Sequence, residues 1–274
     1  MKLYRTARGP VVEHDGAFHS VPQDWDALIN HRDLAAHLRR ATEGAARETT
    51  IERVLAPIGS QEVWAAGVTY YRSRTARLKE SRVGGGSSFY DHVYEAERPE
   101  LFFKAAPWRV RGPGETIRIR RDARWTVPEP EIALCIDARG RIVGYTIGND
   151  VSSRDIEGEN PLYLPQAKIY AGACALGPAM LVSSEPLPAE TEITLRVLRG
   201  GSIVAEGQTT FSQMRRNVRE LVEFLYRETS FPTGCVLLTG TGIVPPDEFT
   251  LQPGDNITID VPAIGTLTNS VAPS

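Results

Sequence analysis

The sequence predicts a β-rich α+β fold. Three observations carry that expectation. Short segments rich in Val, Ile, Leu and Thr recur between Gly, Pro, Asn and Asp punctuation, which is the pattern of strands. Few stretches carry a helical period of apolar residues. Strands and helices do not alternate regularly, so a doubly wound βαβ arrangement is not expected, and no internal repeat is visible.

In chain order, residues 1–22 read as a hairpin turning at His14-Asp15-Gly16. Residues 24–46 read as helical: Asp24 or Asp33 can cap, and Leu34, Leu38 and Ala41 share a face. Pro57-Ile58-Gly59 then punctuates the chain. This suggests a small N-terminal α+β domain over residues 1–58 and a larger domain over residues 59–274. Glu62-Val63-Trp64-Ala65-Ala66-Gly67 opens the larger one as a short strand. Residues 71–81 are polar and helix-prone, and Gly84-Gly85-Gly86-Ser87-Ser88 fits either a lid or a plain loop. Residues 116–120, 131–137, 141–147, 192–198, 202–210, 235–239 and 256–261 read as strands, with turns at Ala138-Arg139-Gly140 and Gly200-Gly201. Residues 217–226 form the clearest amphipathic helix, with Val218, Leu221, Val222 and Leu225 on one stripe.

Composition narrows the function. The 274 residues are 41% apolar and 24% charged, which excludes a disordered, collagen-like or coiled-coil chain. With 31 Lys+Arg against 34 Asp+Glu, the net charge of −3 gives no electrostatic reason to bind nucleic acid or an anionic membrane. Arg109, Arg111, Arg118, Arg120, Arg121 and Arg124 do cluster, but Gly, Pro and Glu interrupt them, and the stretch reads as a solvated strand surface. No apolar leader is visible at the N-terminus, and the apolar runs 63–68 and 174–182 fall far short of the roughly 20 residues that span a bilayer. Cys135, Cys174 and Cys235 are too scattered for a disulfide framework or a zinc site; they read as small buried hydrophobes in a reducing cytoplasm.

The chemistry concentrates in Val127-Pro128-Glu129-Pro130-Glu131-Ile132-Ala133-Leu134-Cys135-Ile136-Asp137. Alternate residues of a strand share a face, so Glu129 and Glu131 project together, followed by small Ala133 and Cys135. Beyond Glu131 the strand is apolar on both faces and enters a core. Two carboxylates at its mouth repel and lose hydration, and need a cation or a proton; the same pair also fits a solvated strand end. The next strand follows a tight turn, pairs antiparallel, and ends in Gly148-Asn149-Asp150, which can bring Asp150 back to the glutamates. Three carboxylates with no cysteine or histidine make a hard, all-oxygen site suited to Mg²⁺, with Mn²⁺ or Ca²⁺ also accommodated.

Glu129-Pro130-Glu131, the run Gly144-Tyr145-Thr146-Ile147-Gly148-Asn149-Asp150-Val151-Ser152-Ser153-Arg154-Asp155, Gln166-Ala167-Lys168 and Thr239-Gly240-Thr241-Gly242 together resemble the fumarylacetoacetate hydrolase superfamily over residues 62–270. The resemblance implies a mixed β-sandwich roll, a homodimer, and a divalent metal on Glu129, Glu131 and Asp150 that holds a small 2-oxo acid. Hydrolases of that superfamily usually carry Gly-x-Asn-Tyr-x-x-His after the first core strand. This chain has Gly67-Val68-Thr69-Tyr70-Tyr71-Arg72-Ser73, with Ser73 where the histidine base would stand, and none of its five histidines (His14, His19, His31, His37, His92) matches.

Gly67-Val68-Thr69-Tyr70, Ser73-Arg74, Arg77, Glu80-Ser81 and Tyr94-Glu95-Ala96-Glu97-Arg98-Pro99-Glu100-Leu101-Phe102-Phe103-Lys104 are similar instead to the branch containing 2-keto-3-deoxy-D-arabinonate dehydratase. That branch implies Glu100 and Lys168 as the proton-transfer pair, with Arg74, Lys104, Arg154 and Thr241 as candidates for holding substrate. The residues themselves agree in part. Glu100 borders the apolar Leu101-Phe102-Phe103, where a carboxyl holds its proton more tightly, although it could also pair with Arg98 or Lys104. Lys168 beside a dication can act as a neutral base, or it is an exposed residue on a short helix. Arg154 can hold a carboxylate or pair with Asp155. Thr241, between glycines, offers donors to an anion or forms an ordinary turn. The resemblance therefore implies a Mg²⁺-dependent dehydratase of a 2-keto-3-deoxy sugar acid. The alternative is a hydrolase of an acylpyruvate or 2,4-diketo acid, with Glu80 or Glu100 as its base.

Overall fold

The computed structural model describes residues 1–43, 50–71 and 94–272. Within them, a large mixed sheet runs in the order Ala17–Ser20, Gly9–His14, Lys2–Thr6, Cys174–Val182, Ile142–Asp150, Pro130–Ile136, Cys235–Leu238, Glu62–Gly67, Glu100–Ala105. A second sheet runs Ser202–Thr210, Glu192–Arg199, Asn256–Val261, Gly265–Val271, Thr116–Ile117. The two pack face to face. Ile132, Leu134, Ile136, Tyr145 and Ile147 of the large sheet meet Leu195, Val197, Ile257, Ile259 and Leu267 of the small one in a single buried cluster. The helix Val218–Tyr226 closes this core with Val218, Leu221, Val222 and Leu225, and Asn217 caps it by accepting from the Arg219 N–H. The expected sandwich is present.

The other face of the large sheet is covered by the N-terminal residues. Leu3, Val12, Trp25, Leu28 and Leu38 pack there with Cys135 and Met180. The helical stretch expected over 24–46 is two helices, Trp25–Ile29 and Leu34–Thr42, and both candidate caps are used. The first helix ends at Asn30, whose amide donates to the Asp26 and Thr233 carbonyls. The strand Lys2–Thr6 pairs with Cys174–Val182 through Lys2↔Leu181 and Leu3↔Met180, so the first twenty residues continue the large sheet.

Cys174–Val182 was not legible as a strand because Gly177-Pro178 interrupts it. Its pairing with Ile142–Asp150 shifts register between Tyr145 and Ile147, opposite those residues, and a bulge is where a central strand tolerates proline. Gly265–Val271 was hidden by its polar residues. One of them, Asn269, is buried and donates to the Gly112 and Glu115 carbonyls. The segment expected over 116–120 is strand only at Thr116–Ile117.

Parity in the central strand decides where the site lies. Ile132, Leu134 and Ile136 enter the sandwich core, so Glu131, Ala133 and Cys135 project from the opposite face. Leu134 is fully buried in that core. Leu134→Ala should lower the unfolding free energy by about 2–5 kcal/mol through lost burial and the cavity left behind. Urea denaturation checks this, and a loss well below that range would contradict the packing described.

Candidate active site

The hairpin brings the three acidic residues together as the sequence suggests. Pro130 pairs with Asn149 and Glu131 with Gly148. The Asp150 N–H donates to the Glu129 carbonyl at 2.9 Å, and the Asn149 side-chain oxygen accepts from the Glu129 N–H at 3.2 Å. Oxygens of Glu129, Glu131 and Asp150 lie within 4.8 Å of one another, and all three residues are buried. Such convergence is strongly unfavourable without compensation.

Three cations supply part of it. Lys168 Nζ donates to Glu129 Oε2 at 2.6 Å and to Asp150 Oδ2 at 3.0 Å, and lies 5.6 Å from the centre of the Phe102 ring. Arg154 donates to Glu129 Oε1 at 2.8 Å. Lys104 forms an ion pair with Asp150 and also donates to the carbonyls of Val151 at 3.0 Å and Lys168 at 2.6 Å. Glu131 receives less: its Oε2 accepts the Gly240 N–H at 2.6 Å. Burial, followed by the charges of Asp150 and Glu129, holds its carboxyl well above the usual range, against the opposing influence of Lys168 and that N–H. Gly240 reaches it at φ +91°, where a Cβ would strike Thr69 Oγ1 and the Ala66 carbonyl.

Each side chain is delivered by a short element. On the edge strand Glu100–Ala105, Glu100, Phe102 and Lys104 share a face and all turn to the site. Arg154 opens the helix Arg154–Glu159, and its N–H is anchored on the Trp125 carbonyl at 2.8 Å. Lys168 ends the helix Leu164–Lys168, and its carbonyl is the one to which Lys104 donates. The cavity so formed is lined by Glu100, Phe102, Lys168, Arg154, Glu157 and Thr241 around the three acids.

Of the residues expected to hold substrate, Arg154 is at the triad and pairs with Glu129, while Asp155 accepts the Arg124 N–H at 2.6 Å. Thr241 lines the cavity, and its hydroxyl bridges the N–H and carbonyl of Ile243 in a turn. Lys104 pairs with Asp150 of the triad and donates to the carbonyls of Val151 and Lys168, so it holds Asp150 and the end of the Lys168 helix. Arg74, Ser73, Glu80 and the 84–88 segment lie outside the described residues. Sequence reasoning missed Glu157, a buried carboxyl of the cavity. The available signal was its spacing of three from Arg154 on one helical turn. It also missed Val68, which follows the cavity strand at φ +52°, a conformation a β-branched residue rarely adopts.

The donor set fits a divalent cation. The three nearby acidic residues offer oxygen only, and no histidine or cysteine lines the cavity among the described residues. The described side chains gathered there comprise five carboxylates (Glu100, Glu129, Glu131, Asp150, Glu157) against three cations (Lys104, Lys168, Arg154). Carboxyl groups thus outnumber cationic side chains in the cavity, the setting that a divalent cation suits.

Comparison with known proteins places this site in a family. A family model described as fumarylacetoacetate (FAA) hydrolase C-terminal matches residues 79–272. The chain belongs to the fumarylacetoacetate hydrolase family. It is 48% identical over 216 residues to a probable 2-keto-3-deoxyxylonate dehydratase of Haloferax volcanii, covering 78% of this chain and 73% of that protein. It is 46% identical over 222 residues to the 2-dehydro-3-deoxy-D-arabinonate dehydratase of Saccharolobus solfataricus, covering 80% and 74%. A solved structure of 2-keto-3-deoxy-D-arabinonate dehydratase complexed with magnesium and 2,5-dioxopentanoate superposes with TM-score 0.85 at 36% identity, covering 100% of this chain and 99% of that one.

The Lys104 contacts generate a stability prediction. Lys104→Met keeps the stem but leaves Asp150 and two buried carbonyls without their donor. Unfolding of the metal-free protein should become easier by about 3–5 kcal/mol. Unchanged urea stability would contradict the structural role of Lys104.

Proposed function

We propose that this protein is a divalent-metal-dependent dehydratase that converts 2-keto-3-deoxypentonate to 2,5-dioxopentanoate. The observation that carries the reading is the convergence of an acid triad, a buried lysine in contact with it and a separate carboxyl, Glu100, in one cavity. Relatives at 46–48% identity named as dehydratases of such sugar acids support it.

Glu129, Glu131 and Asp150 would hold Mg²⁺, which when bound draws charge from the carboxylate and 2-oxo oxygens of the substrate and so acidifies its C3 protons. Lys168 sits beside the triad and, as the neutral amine, takes a C3 proton to become the ammonium. Glu100, on the opposing edge strand, gives a proton to the C4 hydroxyl, which leaves as water. Loss of water leaves a C3=C4 enone that still carries the C5 hydroxyl; a proton shift from C5 to C3 gives the C4=C5 enol, which tautomerises to the aldehyde of the dioxo acid. Arg154 is placed to hold Glu129 and the substrate carboxylate, and the Phe102 ring lies 5.6 Å from the Lys168 nitrogen. The hydrolase alternative has less to stand on, since the cavity offers no histidine among the described residues to activate water.

A homodimer is part of this reading and rests on the family resemblance. A reducing cytoplasm is supported by three cysteines that are all free and buried. No helix among the described residues is long and apolar enough to cross a membrane.

The test is proton NMR of the purified protein with Mg²⁺ and 2-keto-3-deoxy-D-arabinonate. The C3 and C4 signals should give way to an aldehyde, and EDTA should stop the change. Lys168→Ala should bind the metal and lose turnover by about 10²–10⁴-fold. Two acid products, or full turnover in EDTA, would contradict the reading.

A further inference from the structure

Gly67 and Glu100 are direct partners across the antiparallel strands Glu62–Gly67 and Glu100–Ala105. Direct partners project to the same face, so a side chain at position 67 would stand beside that of Glu100. A Cβ placed on Gly67 would lie 2.2 Å from Glu100 Oε2, 2.5 Å from its Cδ and 3.1 Å from Oε1. The carboxyl therefore does not extend away from the sheet. It folds flat across the neighbouring strand, over the Gly67 backbone, and both residues line the cavity that holds the triad. Gly67 is not in the left-handed region, so its backbone accepts alanine, and the nearest atoms a methyl group would meet are those of this carboxyl. The left-handed residue is the next one, Val68, where the chain leaves the strand.

We propose that Gly67 is a positioning residue for the reaction: its missing side chain is what lets the Glu100 carboxyl lie over the sheet and face the departing hydroxyl. The proposal rests on Glu100 being the acid of the dehydration. A methyl group at position 67 fills the space the carboxyl occupies and turns it out of line. The substrate and metal contacts, which lie on other elements, stay in place.

Four variants of the Mg²⁺-loaded enzyme test this: Gly67→Ala, Glu100→Asp, the two combined, and Glu100→Gln. Gly67→Ala should keep the wild-type melting temperature, Mn²⁺ affinity and KM. It should still exchange the C3 protons of substrate for deuterium, because Lys168 is undisturbed. Its kcat for dehydration should fall by about 10²-fold, the scale of a lost general acid. In the Glu100→Asp background the carboxyl is one methylene shorter and withdraws from position 67, so the same substitution should cost far less. A kcat unreduced in Gly67→Ala, or an equal loss in both backgrounds, would overturn the proposal. Full dehydration by Glu100→Gln would overturn it differently, by showing that the acid itself is misassigned.

Discussion

Mutual repulsion among Glu129, Glu131 and Asp150 governs the site. Carboxylates this close in a buried cavity cost far more than the chain can recover from any single hydrogen bond. The surrounding structure is arranged around that cost. The tight hairpin fixes the backbone of Glu129 against Asp150. Lys168, Lys104 and Arg154 offset Glu129 and Asp150, and the Gly240 N–H is what reaches Glu131. The surplus of carboxyl groups is the property a divalent cation answers, and it explains why so many ionisable groups persist in a buried place.

In the proposed reaction the same arrangement separates base from acid. Lys168 arrives at the end of a short helix, while Glu100 arrives on the edge strand of the large sheet. Lys104, on the strand of Glu100, reaches across to the Lys168 carbonyl and to Asp150, so the Glu100 strand and the Lys168 helix are tied together. A sandwich core lies behind this face and carries no catalytic group. The chemistry therefore sits on a stiff support, with its reacting groups held by elements of different origin.

Much of this was legible in the sequence, because strand parity is a local property. Glu129, Glu131 and the small residues after them announce a carboxylate face, and a short turn forces Asp150 back toward it. The strands 202–210 and 256–261 and the helix capped by Asn217 follow from alternation and a helical stripe for the same reason. What was hidden depends on tertiary contact. Cys174–Val182 tolerates a proline because of a bulge opposite it. Gly265–Val271 buries an asparagine whose partners are more than a hundred residues away in sequence. The tie Lys104 makes to the Val151 and Lys168 carbonyls gives no sequence signal, and Glu157 gives none beyond its helical spacing from Arg154.

The central claim is that the triad is a divalent-cation site, and anomalous diffraction from crystals grown with Mn²⁺ tests it most directly. The account predicts a peak about 2.0–2.6 Å from oxygens of Glu129, Glu131 and Asp150, with the Lys168 ammonium withdrawn from at least one of them. A peak elsewhere, or a lysine-bridged triad with no peak in crystals of the Mn²⁺-active enzyme, would contradict it.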